Sequence, residues 1–424
     1  MREVRTAEIL AVGSELLTAH RLDTNSLFLT GRLNELGIDV RTKAVVGDDR
    51  GDLGAVLRDA LARADLVVTS GGLGPTEDDL TREAVAEVLD LALDEDAEVL
   101  ASIRARFARR GFPMPERNRR QAFVPRGATV LPNANGTAPG LWIEARERIL
   151  ILLPGPPREL QTIFDTHAAP RLEARAPGQR LRRRVLKLTG RAESQVDEVA
   201  QPIYTPLAHG PIPIQTTILA TPGQIELHLS ARGTDVAAMD EALESGVTQL
   251  AEALSPAVFS VDGRSLESVV GDSLHENKWT IAVAESCTGG LVLGRLTEVP
   301  GSSAWVIGGV VAYANDVKMR QLGIAASLLE EHGAVSEPVA RAMAEGIAAS
   351  LAADIGVAVT GIAGPSGGSD AKPVGTVVIA VAGAIDGVRT FRFLGDRQMV
   401  RLQSVAAALD MVRRKTSEAV LRKT

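Results

Sequence analysis

Short apolar runs, separated by stretches with helical spacing, dominate both ends of the chain. TAEILAVG (6–13) is such a run, TNSLFLTGRLNELG (24–37) is an amphipathic helix pattern closed by glycine, and IDVRTKAVVG (38–47) returns to a strand pattern. A helix to about Ala64 leads into DLVVTS (65–70), which empties into GGLGPTEDDLT (71–81). ERILILLPGPPREL (147–160) is a further strand-to-helix junction, and its helix runs toward Arg175. Strand and helix alternating at roughly 30 residues per unit predict a parallel sheet covered by helices.

Residues 176–255 carry a different rhythm. LRRRVLKLTG, a helix from Ala192 to about Ile203, IPIQTTILA, the turn TPGQ, IELHLSARG and a last helix give strand, helix, two strands, helix. Pro222-Gly223 between alternating runs is a hairpin signal. From about 263 the α/β rhythm resumes, with TIAVAES, AWVIGGVVAYA, DIGVAVTG, VGTVVIAVAG and VRTFRFLG as strands. GLVLGRLTEV, SEPVARAMAEGIAASLAA and DRQMVRLQSVAAALDMVRRK are helices, with Ser336 placed as a cap and Pro338 in its first turn. The fold class read from this is α/β: two sandwich domains with largely parallel sheets, 1–175 and 256–424, joined by a small α+β module at 176–255.

Composition narrows the partner more than the fold. The net charge of -7 gives nucleic acid or an anionic membrane little to hold, so a small molecule is the expected partner. A single cysteine allows no internal disulfide, and MREVRTAEIL lacks a signal-peptide core. Uncharged stretches such as VIGGVVAYAN (306–315) fall short of the roughly 20 residues a membrane helix needs, and the expectation is a soluble cytoplasmic protein. Only seven of the 46 basic residues are lysines, a bias that fits arginine-favouring codons. Because lysine can act as a base and arginine cannot, a lysine within a motif stands out.

GGLGPTEDDLT places glycines after a buried strand, where backbone can approach a ligand, and then helix amides that favour a phosphate. Asp78 and Asp79 fall in the expected first turn, either complementing the helix dipole or holding a metal. With the elbows VGSELL (12–17) and NANGTAPG (133–140), these loops suggest one site at a sheet edge. A nucleoside diphosphate with magnesium or manganese on Asp78 or Asp79 fits oxygen ligands, and no His–Cys cluster suggests zinc. The basic segment RFARRGFPMPERNRR (106–120) reads equally as a phosphate contact or a solvated helix face.

AESCTGG (284–290) brings Glu285, Ser286, Cys287 and Thr288 to a glycine turn that opens a helix, a geometry for an oxyanion hole, a phosphate cradle or an ordinary cap. A nucleophilic cysteine works with histidine, and this third of the chain offers only His275 and His332, so packing is the reading for Cys287. Ser286 needs a base, and Lys318, just past AWVIGGVVAYAND, is the candidate for a serine-lysine dyad. TGIAGPSGGS (360–369) and GDRQMVR (395–401) are further strand-end loops, with Arg397 able to clamp a phosphate.

These stretches resemble a known family. GGLGPTEDDLT, NANGTAPG and LPGPPREL resemble the amino-terminal domain of the CinA family (competence/damage-inducible protein A), itself similar to molybdopterin-binding domains. AESCTGG, GSSAWVIGGVVAYANDVK, HGAVSEPVA, TGIAGPSGG, KPVGT and GDR resemble its carboxy-terminal nicotinamide mononucleotide deamidase domain. The resemblance implies a KH-like middle module, and a homodimer is expected. Its implied activities are deamidation of nicotinamide mononucleotide and metal-dependent hydrolysis of ADP-ribose to AMP and ribose 5-phosphate. It implies Ser286 as acylated nucleophile, Lys318 as base and Arg397 as a substrate ligand, with Thr288, Gly289, Gly290, Ser303, Tyr313, Thr360 and Gly361 forming the pocket and no cofactor. In the first domain it implies nucleotide contacts from Ser14, Glu15, Asn25, Gly71, Gly72, Gly74, Thr76, Thr137 and Gly155, and magnesium, manganese or cobalt at Asp78 and Asp79. A KH domain grips nucleic acid through a GxxG loop, whereas Gly190 is followed here by Arg191, Ala192 and Glu193, so a dimerising or spacing role is expected instead. The contrasting reading is a pterin- or nucleotide-binding scaffold without turnover.

Overall fold

The computed structural model describes residues 3–19 and 21–422. The chain divides into two units, one running to Arg182 with Arg232–Met239 added, the other holding Arg183–Ala231 and Asp240 onward. The first unit begins with β1 (Thr6–Val12), α1 (Thr24–Glu35), β2 (Asp39–Val46), α2 (Arg50–Arg63), β3 (Leu66–Ser70) and α3 (Thr81–Leu89). It continues through β4 (Leu93–Glu95), α4 (Ala97–Arg109), β5 (Phe123–Pro125), β6 (Thr129–Leu131), β7 (Gly140–Ala145) and β8 (Arg148–Leu153). A helical stretch of α5 (Pro157–Ile163), one π turn at Phe164–Ala168, and α6 (Ala169–Glu173) closes it. Asp23, Asp49 and Asp96 start α1, α2 and α4 by accepting main-chain N–H groups of the first turn, which would otherwise lack partners.

The sheet order is β2-β1-β3-β8-β7-β6, with β2, β1, β3 and β8 parallel and β7 and β6 antiparallel. Alternate residues serve opposite faces: Ile9, Val68 and Ile151 pack with Leu29, Leu33 and Phe164, while Leu10, Val67 and Leu150 pack with Leu53, Leu57 and Val85. With both faces covered, the strands read as continuous apolar runs rather than alternations. Because β1, β3 and β8 are adjacent and parallel, the loops at 13–17, 71–80 and 154–156 leave the same edge.

The middle stretch follows the predicted order: β9 (Arg180–Thr189), α7 (Glu193–Leu207), β10 (Ile214–Thr221), β11 (Gln224–Gly233) and α8 (Val236–Ala253). Pro222 and Gly223 form the two-residue hairpin loop, with Thr221 opposite Gln224. A fourth strand, β12 (Val258–Ser260), completes the sheet order β10-β11-β9-β12 from beyond residue 255.

The last α/β portion runs α9 (Leu266–Asn277), β13 (Ile281–Glu285), α10 (Leu291–Thr297), β14 (Val306–Val311), α11 (Asn315–Leu322) and α12 (Ala326–His332). Then follow α13 (Glu337–Leu351), β15 (Ile355–Gly361), β16 (Thr376–Gly383), β17 (Gly387–Arg392) and α14 (Arg397–Leu421). Its sheet order is β14-β13-β15-β16-β17, the first three parallel and the last two antiparallel. Ala282, Ala284, Ala358 and Ala380 pack with Met343 and Ile347 of α13, small side chains that let the helix lie close. Ser336 does occupy the position before α13, but its hydroxyl donates back to Gly333 O at 2.9 Å and makes no cap bond. Among the described residues no helix is long and apolar enough to cross a membrane.

Candidate functional site

β13 is buried at every position and carries the chain into the turn through Ser286, Cys287, Thr288, Gly289 and Gly290 before α10. Ser286 donates its amide to Val359 O on β15 at 2.9 Å, which fixes the residue to the neighbouring strand. Its Oγ lies 3.4 Å from Lys318 Nζ. Lys318 stands in the first turn of α11, is only 1% exposed, and donates also to Ala312 O (2.8 Å) and Tyr313 O (3.1 Å). Among the described residues no carboxylate pairs with it, and burial of the ammonium pushes its pKa below the ordinary lysine value. A neutral amine has two N–H donors for the two carbonyls and a lone pair left for the serine hydroxyl.

Cys287 is excluded as the nucleophile by its surroundings. It packs into the hydrophobic core, and burial pushes the thiol up to about 11, where the thiolate is scarce at neutral pH. His332 lies at the end of α12, 3.6 Å from Glu331 Oε1.

Glu285, named in the motif but assigned no role from the sequence, organises the turn. It is 1% exposed and accepts N–H groups of Gly290 (2.9 Å), Val292 (3.1 Å) and Leu293 (2.9 Å). The start of α10 is thus filled by the chain's own carboxyl group, which argues against the phosphate cradle among the three readings of this turn. Gly289 donates to Ser286 O at 3.1 Å and Gly290 to Glu285, so these two glycines of the implied pocket shape the turn while their amides are already engaged. The Thr288 amide has no acceptor among the described residues, and the Cys287 amide faces only its own thiol. These two amides directly follow the serine in the turn, where donors to an oxyanion belong. Glu285→Ala should lower stability by about 2 kcal/mol, read from the urea midpoint, because three amides at the start of α10, buried or partly so, lose their acceptor.

Tyr313 links the pair to the predicted arginine. Its carbonyl accepts from Lys318, and its hydroxyl accepts from Arg397 Nη2 at 3.1 Å; Arg397 Nη1 donates to Gly364 O at 2.9 Å. Arg401, one turn further along α14, donates to Thr288 O at 2.8 Å and braces the turn from outside. It lies in GDRQMVR, but only its position on the same helix face as Arg397 could have indicated it. Thr360 is buried and donates to Ala334 O at 2.8 Å, and a side chain at Gly361 would meet Val377 and Thr376 O. Both shape the wall rather than face it. Ser303 is exposed on the turn before β14, and no hydrogen bond among the described residues joins it to Ser286.

In the first unit the strand-end loops enclose a cleft of about 360 Å³. Glu15, Gly71, Gly72, Gly74, Asp78, Asp79, Thr137 and Gly155 all line it. Gly71 and Gly72 have φ of 107° and 65°, and a side chain at Gly72 would strike the Thr81 hydroxyl at 2.1 Å. Ser14, Asn25 and Thr76 do not line the cleft and instead tie its loops together. Ser14 exchanges two hydrogen bonds with Asp48, and Asn25 Nδ2 donates to Ser70 Oγ and Gly155 O at 2.8 and 2.7 Å.

α3 begins at Thr81, so Asp78 and Asp79 precede the helix and do not occupy its first turn as expected. Asp79 accepts N–H groups of Gly74 and Thr76, both at 2.8 Å, together with the Thr76 hydroxyl, and so holds the loop shut. Asp78 is exposed, and hydrogen bonding from Thr76 lowers its pKa, which keeps it charged. Arg82 and Arg120 brace the loop through the carbonyls of Leu73, Gly74 and Thr76. Arg119 of the basic segment pairs with Glu95, whereas Arg120 turns inward to Glu83.

Two cleft carboxyls escaped the sequence reading: Asp48, and Glu159 at the start of α5, which accepts from Asn133 Nδ2 at 2.6 Å. Glu159 falls within LPGPPREL, the motif that marked the junction. Among the described residues, five acidic side chains and no lysine or arginine line the cleft. Among the described residues no three His, Cys, Asp or Glu side chains group closely enough to hold a metal by themselves. The oxygen donors fit a divalent cation that takes the rest of its ligands from phosphate, the usual mode for magnesium.

Fold and geometry together define an α/β protein with a carboxylate-lined strand-end cleft in one unit and a serine–lysine pair at a strand-to-helix turn in the other. Family models match both parts: a probable molybdopterin binding domain over residues 8–174 and the CinA C-terminal domain over residues 263–416. A CinA-like protein of Koribacter versatilis is 48% identical over 414 residues, spanning 96% of this chain and 99% of its own length. A putative competence-damage inducible protein of Desulforudis audaxviator is 44% identical over 409 residues, spanning 96% and 98%. A crystal structure of the CinA protein of Thermoplasma acidophilum is 34% identical, covers 39% of this chain and 97% of that one, and superposes with a TM-score of 0.37. The chain belongs to the CinA family, as its motifs led one to expect.

Proposed function

We propose that the chain is a bifunctional nucleotide hydrolase whose carboxy-terminal site deamidates nicotinamide mononucleotide. The observation that carries this reading is a buried lysine with no counter-charge among the described residues, 3.4 Å from a serine at a strand end. Ser286 Oγ attacks the carboxamide carbon as its proton passes to Lys318 Nζ, and the carbonyl oxygen, now negative, is met by the amides of Thr288 and Cys287. Lys318 returns the proton to the amide nitrogen, which leaves as ammonia, and Ser286 is left acylated. Water then attacks the ester carbon, giving its proton to Lys318, and the Ser286 oxygen recovers that proton as nicotinate mononucleotide departs. Arg397, tied to Tyr313, offers a planar fork to the substrate phosphate. Ammonia release from nicotinamide mononucleotide by the purified chain tests the reading.

In the first unit the cleft supports hydrolysis of ADP-ribose to AMP and ribose 5-phosphate. Asp78 is the exposed, charged carboxylate able to join a substrate-bridged cation, with Asp79 holding the loop on which it sits. A bound divalent cation supplies charge neutralisation and polarisation of the phosphoryl group. Glu159 and Glu15 are the carboxylates available to orient a water. Asp78→Ala should reduce AMP formation about 100-fold or more, and chelator should do the same to the parent, with ammonia release unchanged in both. AMP formation that survived both would remove the metal assignment.

A further inference from the structure

We propose that the hollow between α4 and the loop at 132–139 is a second ligand subsite of the first unit, one that takes the nucleoside monophosphate half of a two-part nucleotide. It rests on the hydrolase reading above and adds the half of the ligand which the acidic cleft does not explain. The hollow has a volume of about 490 Å³, within the range of small-ligand sites.

Its walls are chemically divided. α4 turns Val99 and Ile103 toward Pro132 and Pro139, giving an apolar slot for a planar ring, and one turn later presents Arg106 and Arg109. Asp96 and Glu98 line the hollow from the opposite end of the same helix, so a phosphate is admitted only at the arginine end. Arg106 Nη1 donates to Ala134 O at 3.0 Å, which holds the guanidinium against the loop dividing hollow from cleft. Thr137, on that loop, lines both spaces.

The division answers a deficit in the neighbouring site. Among the described residues the cleft has five carboxyl groups and no basic side chain, so a pyrophosphate lying there gains no cationic partner from these walls. A nucleotide laid across Thr137 sets its ring between α4 and the prolines, its nearer phosphate by Arg106 and Arg109, and its distal sugar phosphate in the cleft. Guanidinium–phosphate pairing is a strong, planar contact, and the apolar slot supplies the rest of the affinity.

The test is binding of AMP and of ribose 5-phosphate to the full chain by calorimetry, with circular dichroism melting as a folding check. Ser102 is exposed on the rim, so Ser102→Trp fills the hollow without disturbing the core, and Arg109→Glu reverses a charge on an exposed side chain. Each variant should weaken AMP binding by about tenfold or more and leave ribose 5-phosphate within about twofold of the parent. AMP bound equally by parent and both variants, or not bound by the parent, overturns the subsite. Loss of AMP binding in a chain that cleaves no ADP-ribose would retain the subsite and remove the hydrolase reading. Cleavage together with unaltered AMP binding in the variants would do the reverse.

Discussion

Ser286→Ala should cut ammonia release from nicotinamide mononucleotide by at least about 10³-fold, because no other side chain at the β13 turn can take over acyl transfer. Cys287 is the residue nearest in sequence, but its thiol is buried and held protonated, and Lys318 points at the serine. Substrate affinity, measured by calorimetry, should change little, since the Oγ bonds to the carboxamide only as the reaction proceeds. Turnover by Ser286→Ala at the parental rate would remove the acyl-enzyme route altogether.

Lys318→Met should be nearly as severe, a loss of about 10²–10⁴-fold in ammonia release, and should also make the protein more stable at neutral pH. The two effects share one cause. Burial lowers the Lys318 pKa in the folded chain below its unfolded value, so between those values the unfolded chain binds the extra proton. The resulting penalty on folding is fully present below the folded pKa and fades as pH rises to the unfolded one. Denaturant midpoints should therefore separate the variant from the parent most at the lower pH and bring them together in alkali. Parental activity should rise with pH until the lowered lysine value is passed and then level off, because the neutral amine is the base. A flat rate profile, or a variant no more stable than the parent at neutral pH, would contradict the role of Lys318.

Much of this was readable before any coordinates. The serine–lysine pair could be read because lysine is rare here and both residues follow apolar strand runs, which places them at the same sheet edge once β13 and β14 are neighbours. The long elements could be read for the same reason, since both faces of each central sheet are covered. β4, β5 and β6 are three residues each, too short for a period to show, and β7 was hidden behind the NANGTAPG elbow. Glu285 could not be found by capping rules, which look at the residue next to a helix. It reaches forward from a strand to amides five, seven and eight positions later. Asp79 was misplaced for a related reason: GPTEDDLT looks like an acidic first turn, but its bonds to Gly74 and Thr76 delay the helix to Thr81. Asp48 and Glu159 join the cleft through tertiary folding alone, from opposite ends of the domain's sequence.

The burial of Cys287 bears on the conditions under which this site can work. Hydrolases that use a thiolate lose activity when it is oxidised or alkylated, since the reactive form is also the vulnerable one. Here the only sulfhydryl in the chain is walled into the core beside the proposed hydroxyl nucleophile, which oxidants leave alone. Acyl transfer by Ser286, as proposed above, would thereby be insulated from the redox state of its surroundings, unlike chemistry that depends on a thiolate.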